Sequence, residues 1–542
     1  MYKSKLFVAL LGISILPFTG FSQSKKEKAP ENWYNLDYKT DNVMGISTEK
    51  AYELLKGRKS TPVIVAVIDG GVDVEHEDLK DVLWINKKEA NANNKDDDGN
   101  GYIDDKYGWN FIGGADGKNI KYDNTEVVRL IKIYEPKYMS VLPSSKLTAK
   151  ERKEFVAYQK MVSDYTTKLD EAQFGDTNYG RLKNNVDKVI SQIGKDAKEI
   201  TLQDVESFKT ESTDLKMATR IMKKGIEEEK SFIKFYDDLK EAATYYNDQV
   251  KYHYNKDYDP RSIVGDKYED VTNIYYGNAD VKGPDAEHGT HVAGIIGAKR
   301  NNNVGINGVA DNVEIMSIRV VPNGDERDKD VANGIRYAVD NGAKVINMSF
   351  GKGYAFNKKV VDDAIKYAMD KDVLLVHAAG NDSKNIDITP NYPTKYFTDS
   401  LNTITGEANN WLTVGATSWK LNGELLADFS NYGYKSVDVF APGVDINSTM
   451  PESKYKEQQG TSMAAPVVSG LAAMLRSYYP TLTAKETKDI IIKSVTKVDQ
   501  KVKIKENGSS KKVYLDEISV GGGIVNAYNA VNEANKYISS KK

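Results

Sequence analysis

Residues Thr61–Ile68 (TPVIVAVI) form an unbroken apolar run, rich in β-branched side chains, that ends at Asp69-Gly70-Gly71. A run of this length bounded by turn residues reads as a strand buried on both faces, as occurs in parallel sheets covered by helices. The same pattern returns after residue 280. Val313–Val320, Lys344–Ser349, Val373–His377 and Trp411–Gly415 read as strands. Helices are expected at Thr48–Leu55 and near 331–341, 358–370, 463–477 and 484–495, the last opened by the capping box Thr483-x-x-Glu486. This alternation predicts an α/β fold built on a doubly wound parallel sheet.

From about 118 to 279 the pattern breaks. Lys, Glu, Asp and Tyr dominate and Gly and Pro are few. Thr148-x-x-Glu151 is a capping box expected to open a helix through about residue 170, and 213–252 reads as one or two more. The chain is therefore divided into an N-terminal extension (23–46), a sheet domain in two pieces (47–117 and 280–535), a large helical insertion (118–279) and a C-terminal tail (536–542). At roughly 150 residues per domain, 542 residues leave room for this.

Lys+Arg of 75 against Asp+Glu of 78 gives a net charge of −3. A binder of nucleic acid or anionic membrane would need a basic excess. The absence of cysteine excludes disulfides, thiolate metal sites, a Cys nucleophile and a lipidated N-terminal Cys. At the N-terminus, two lysines precede the apolar stretch 6–19 (LFVALLGISILPFT), and Gly20-Phe21-Ser22 follows with small residues. That order is a secretory signal peptide over 1–22, shorter than the ~18 or more apolar residues of a membrane span. The mature protein is expected to be exported, periplasmic or secreted, with no span left after signal removal.

Three segments place reactive side chains where a strand or loop hands over to a helix. Val67-Ile68-Asp69-Gly70-Gly71 sets a carboxylate at the end of a buried strand. His288-Gly289-Thr290-His291-Val292-Ala293-Gly294 opens a helix, and Gly460-Thr461-Ser462-Met463-Ala464-Ala465-Pro466 sets a serine at a helix N-terminus. A serine hydroxyl is a poor nucleophile until a base takes its proton, and imidazole has a suitable pKa. A buried carboxylate can orient that imidazole and stabilise its charged form. Singly, each segment also reads as a turn, a structural histidine or a cap.

Together, in this order and with these neighbours, they resemble the subtilisin-like serine peptidases (subtilases), over roughly 45–117 and 280–535. The resemblance implies Asp69 as orienting carboxylate, His288 as general base then acid, and Ser462 as nucleophile. His291 is the rival base, better read as packing around its helix. Ala378-Ala379-Gly380-Asn381 matches the oxyanion segment, with Asn381 as side-chain donor and the Ser462 N–H as the second. Ser349, Phe350 and Gly351, with Ala379 and Gly380, are implied to bind an extended peptide, Phe350 mainly by packing. Asp428–Gly433, Ala441-Pro442-Gly443 and Gly521–Ala530 match structural segments of the family.

Residues 96–105 (DDDGNGYIDD) place oxygen donors at alternate positions followed by Gly, a cage for a hard cation. Ca²⁺ is expected on Asp96, Asp98, Asn100, the Tyr102 carbonyl and Asp105, the last closing a site whose twelfth position is Tyr107 rather than Glu. The use of calcium by subtilases supports this. Two features depart from the family pattern: the long insertion between Asp69 and His288, and too short a stretch before the first strand for a folded propeptide. The expected function is an exported serine endopeptidase acting on peptides or proteins, with the insertion gating the cleft or recruiting a protein partner. The alternatives are a silent subtilase scaffold that binds through its insertion, and an α/β-hydrolase, which would want Gly-x-Ser-x-Gly around Ser462.

Overall fold

The computed structural model describes residues 28–89, 93–399, 403–506 and 508–541. The expected signal peptide lies outside them. The chain forms two compact units, a sheet unit running through Glu126 and from Pro260 onward, and a helical unit, Val127–Asp259. The helical unit is narrower than the 118–279 expected from composition.

Strands of the sheet unit, in chain order, begin with β1 (Val63–Asp69), β2 (Gly108–Asn110), β3 (Val313–Arg319), β4 (Val345–Met348) and β5 (Leu374–Ala378). A hairpin of β6 (Tyr396–Thr398) and β7 (Ile404–Glu407) precedes β8 (Trp411–Thr417) and β9 (Val439–Pro442). Two further hairpins follow, β10 (Ile446–Met450) with β11 (Lys454–Gln458), and β12 (Val502–Glu506) with β13 (Ser509–Val513). Seven strands make one sheet in the order β2-β3-β1-β4-β5-β8-β9, and every pairing in it is parallel.

Successive strand side chains point to opposite faces, and here both faces are covered. Val65, Val67, Val345 and Val376 pack with the helices Glu287–Gly297 and Thr461–Tyr478. Ala66, Ile68, Ile346 and Leu375 pack on the other side with the helices Asp328–Asp340 and Lys358–Asp370. This is why Thr61–Ile68 reads as a continuous apolar run rather than an alternating one. β1 is flanked by β3 and β4, so the chain leaves it first to one side and then to the other. Crevices at such reversals, beyond the carboxyl ends of the strands, are where open α/β sheets hold ligands.

Several expected boundaries move. The helix opened by Thr148 runs to Ile193, not to about 170. Gly175 lies within it at a place where a Cβ would meet the Tyr246 ring at 2.2 Å, and Gly194 ends it in the left-handed region at φ 76°. Residues 28–46 are anchored rather than a free extension. Trp33 and Tyr34 are buried, with Trp33 Nε1 donating to the Val444 and Asp445 carbonyls and Tyr34 Oη to that of Asn307. The tail beyond 535 continues the helix Ala527–Ser540, and Tyr537 Oη donates to Glu486 Oε1 at 2.7 Å. Among the described residues, no helix is long and apolar enough to cross a membrane.

Candidate active site

The carboxyl ends of β1, β4 and β5 lie side by side and carry Asp69, Ser349-Phe350-Gly351 and Ala379-Gly380-Asn381 in turn. Asp69 is 2% exposed, and its carboxylate meets His288 Nδ1 with both oxygens, at 2.8 and 3.0 Å. Oδ1 also accepts the Gly70 N–H at 2.7 Å. A carboxylate only accepts, so Nδ1 is the protonated nitrogen and Nε2 is left with its lone pair. The helix Glu287–Gly297 comes this near to β1 because residue 289 is glycine. A Cβ there would stand 2.2 Å from the Gly71 carbonyl oxygen and 3.1 Å from Asp69 Cβ.

His291 does not compete for the role of base. It is fully buried, and Nε2 lies 3.1 and 2.9 Å from the Ile446 and Lys456 carbonyls, tying its helix to the β10–β11 hairpin. Burial pushes its pKa down to about 3. Beneath the Asp69 turn lies Arg319, buried at the end of β3, which no sequence pattern singled out. Its Nε donates to the Gly70 carbonyl at 2.8 Å, Nη1 to Asn110 Oδ1 at 3.1 Å and Nη2 to the Ile120 carbonyl.

Ser462 is the second residue of the helix Thr461–Tyr478. Proline at 466 has no N–H to offer the Ser462 carbonyl four residues earlier. That carbonyl instead accepts the Ser349 hydroxyl at 2.9 Å. In return the Ser462 hydroxyl donates to the Ser349 carbonyl at 3.0 Å, not to His288. Ser349, expected at the substrate wall, is thus buried and turned toward the Ser462 backbone.

Asn381 is held at one end. Its Oδ1 accepts both the N–H and the hydroxyl of Thr461, at 2.9 and 3.0 Å, while the Thr461 hydroxyl accepts the Gly380 N–H at 3.0 Å. With the oxygen pinned, the Asn381 Nδ2 donors are left without an acceptor among the described residues. Gly380 needs to be glycine, since its φ is +99° and a Cβ would fall 2.4 Å from Asn431 Nδ2. Asn431 shapes this loop by donating to the Ala379 carbonyl and accepting the Asp382 and Lys384 N–H groups.

Sheet pairing of β4 ends at Met348, opposite His377 and Ile68. Ser349–Gly351 therefore runs on past the paired register, with Gly351 exposed. Phe350 is half-buried, its ring edge-on to His377 at 6.5 Å. His377 sits behind it, with Trp411 at 5.2 Å and, among the described residues, no partner for its Nε2. Burial pushes this imidazole down to about 4. An unfolded histidine binds its proton near pH 6.5. Between about pH 4 and 6.5 the folded chain holds fewer protons than the unfolded one, and stability falls as the pH drops through that window. In a His377→Met chain, proton uptake on unfolding near pH 5 should be smaller by about one, read as a shallower slope of unfolding free energy against pH. An unchanged slope would mean that the imidazole is already charged in the folded state.

The acidic loop differs from expectation in two respects. Asp96 and Asp98 lie together, but the third carboxylate within 4.8 Å is Glu89, not Asp105. Asp105 is fully buried and its oxygens are filled by Asn86 Nδ2 at 2.8 Å, Asn100 Nδ2 at 3.0 Å and the Tyr337 hydroxyl at 2.6 Å. It braces the loop from beneath. Asn100 Oδ1 accepts the Tyr102 N–H at 2.8 Å, and the Tyr102 ring packs against Trp109 and Tyr337. Glu89 carries no spacing that ties it to the loop in sequence.

Comparison with known proteins agrees with this architecture. The subtilase family model matches residues 181–512, which include His288, Asn381 and Ser462 and leave Asp69 upstream. A thermophilic serine proteinase from Bacillus sp. (strain AK1) is 42% identical over 191 residues, covering 35% of this chain and 42% of that protein. Thermitase from Thermoactinomyces vulgaris is 42% identical over 191 residues, covering 35% of this chain and 61% of its own. Subtilisin DY from Bacillus licheniformis is 39% identical over 213 residues, 39% of this chain and 70% of that protein. The chain spans about half the length of the first two relatives. Matched over more than half of its residues, the chain belongs to the subtilase family.

Proposed function

We propose that this subtilase is an exported serine endopeptidase that hydrolyses peptide bonds through an acyl-enzyme. The observation that carries the reading is the Asp69–His288 contact, which leaves Nε2 as the basic nitrogen at the crevice where Ser462 opens its helix. Ser462 Oγ attacks the peptide carbonyl carbon and passes its proton to His288 Nε2. The oxyanion formed accepts from Asn381 Nδ2 and the Ser462 N–H. His288 then gives the proton to the departing amine as the C–N bond breaks, and water repeats the sequence on the ester. Substrate backbone lies along Ser349–Gly351 and Ala379–Gly380, adding as a strand. Export rests on the charged, apolar and small-residue order of residues 1–22.

The test is labelling with a serine-directed fluorophosphonate, comparing the chain with its Ser462→Ala variant. Label in the first alone supports the reading. Equal labelling of both removes Ser462 as nucleophile, and no label in either favours a silent scaffold. For the helical unit we carry the gating reading, supported by its place in the chain between the Asp69 and His288 segments. Replacing 127–259 by a short linker should raise activity toward folded proteins relative to short peptides. An unchanged ratio would leave a module that recruits a partner.

A further inference from the structure

Arg319 is 1% exposed, a cation buried at the end of β3 beside the turn that carries Asp69. Among the described residues no carboxylate forms an ion pair with it, and Asp280 and Asp285 act on it only through space. A buried charge met by neutral oxygens alone costs more than an apolar side chain of the same volume. Packing therefore does not account for it, and what its fork holds does. Nε donates to the Gly70 carbonyl at 2.8 Å, in a turn of two glycines with no side chains of its own to fix it. The Asp69 carbonyl, one residue back, accepts the Val320 and Val321 N–H groups at 2.9 and 3.2 Å. On its far side the turn touches the His288 helix, where a Cβ on residue 289 would stand 2.2 Å from the Gly71 carbonyl oxygen. Movement of this turn therefore changes the Asp69–His288 distances of 2.8 and 3.0 Å.

The other end of the guanidinium grips the neck formed by the two segments that lead to and from the helical unit. Nη1 donates to Asn110 Oδ1 at 3.1 Å and Nη2 to the Ile120 carbonyl. Asn110, on the outgoing chain, exchanges both backbone hydrogen bonds with Asn278 on the returning chain, each at 3.0 Å. Its Nδ2 also donates to Asn278 Oδ1 at 2.8 Å. Gly283, further along the returning chain, leaves room for the guanidinium, since a Cβ there would fall 2.2 Å from Nε. We propose that Arg319 is a positioning residue, which holds the Asp69 turn at the separation His288 requires and fastens that turn to the neck of the insertion. The assignment rests on the reading of Asp69 and His288 as a catalytic pair. A lysine has one cationic donor for the Gly70 carbonyl but no fork to span the neck as well.

The experiment follows two readouts in the full chain. One is kcat and KM on a peptide ester; the other is the deshielded proton NMR signal of His288 Nδ1–H on Asp69, assigned by its loss in His288→Ala. Arg319→Met should lower kcat about 10- to 100-fold with KM within about twofold of the parent, and should shift the signal or broaden it away. Arg319→Lys should keep the signal and hold kcat within about threefold, while melting at a lower temperature than the parent. A parent-like signal and kcat in folded Arg319→Met, with only the melting temperature reduced, would mean plain structural support and overturn the proposal. Equal loss in both variants would overturn it too, since the donor to Gly70 would not be what matters. Should Arg319→Met fail to fold, Gly283→Ala carries the test. Its Cβ should push the guanidinium off the Gly70 carbonyl and reduce both readouts, and unchanged readouts overturn the proposal. Fluorophosphonate labelling of the same samples reads Ser462 separately. A parent that takes no label loses the peptidase reading, while the NMR signal still decides whether Arg319 sets the Asp69–His288 contact.

Discussion

Ser462→Ala should lower kcat about 10⁶-fold, the size established for loss of the nucleophile in subtilisins, and leave the melting temperature nearly unchanged. The fold tolerates the change because Ser462 is the second helical residue rather than the cap, and Gly460 makes no side-chain cap bond. Its carbonyl would still accept the Ser349 hydroxyl, so the helix keeps its anchor to the segment after β4. What disappears is the hydroxyl proposed to attack, which here rests on the Ser349 carbonyl. Steady-state kinetics on a peptide ester, with a melting curve on the same sample, check both halves. Residual activity above about 1% of the parent would contradict the triad.

Asn381→Asp separates the two ends of the amide. An aspartate keeps an oxygen for the Thr461 N–H and hydroxyl but has no Nδ2 to donate, so the loop stays pinned while the donor is lost. kcat should fall about 10²–10³-fold, the range established for loss of this donor in subtilisins, with KM close to the parent value, because the donor acts on charge that develops only in the transition state. Asn381→Ala should lose as much in kcat and, unlike the aspartate, also destabilise the loop by freeing Thr461. A change in KM alone would assign Asn381 to substrate binding instead.

Much of the sheet and of the crevice was legible because local patterns encode them directly. A strand covered on both faces has no polar side, and Thr61–Ile68 says so by itself. Asp69, His288 and Ser462 each sit at the seam between elements, where glycines such as Gly289 mark a close approach of backbones. The third carboxylate beside Asp96 and Asp98 was not legible, for the opposite reason. Glu89 enters the loop through tertiary folding, and the pattern around 96–105 offered Asp105, whose burial against Tyr337 is set by a helix more than 200 residues later. Arg319 was equally silent, one basic residue at a strand end, because its meaning lies in the carbonyls of Gly70 and Ile120 that surround it. Residues 28–46 read only as part of an N-terminal extension, since the aromatic rings that anchor them are too few to show a period.

Val63 finds its neighbour at Val313 in the sheet. A ribosome therefore finishes some 250 further residues before the first central strand has anything to pair with, and Ser462 emerges later still. Long-range pairing of this kind is slow to organise. On the proposed peptidase reading, the nascent polypeptide lacks a complete site for most of the time it takes to synthesise, by arrangement of its chain order alone.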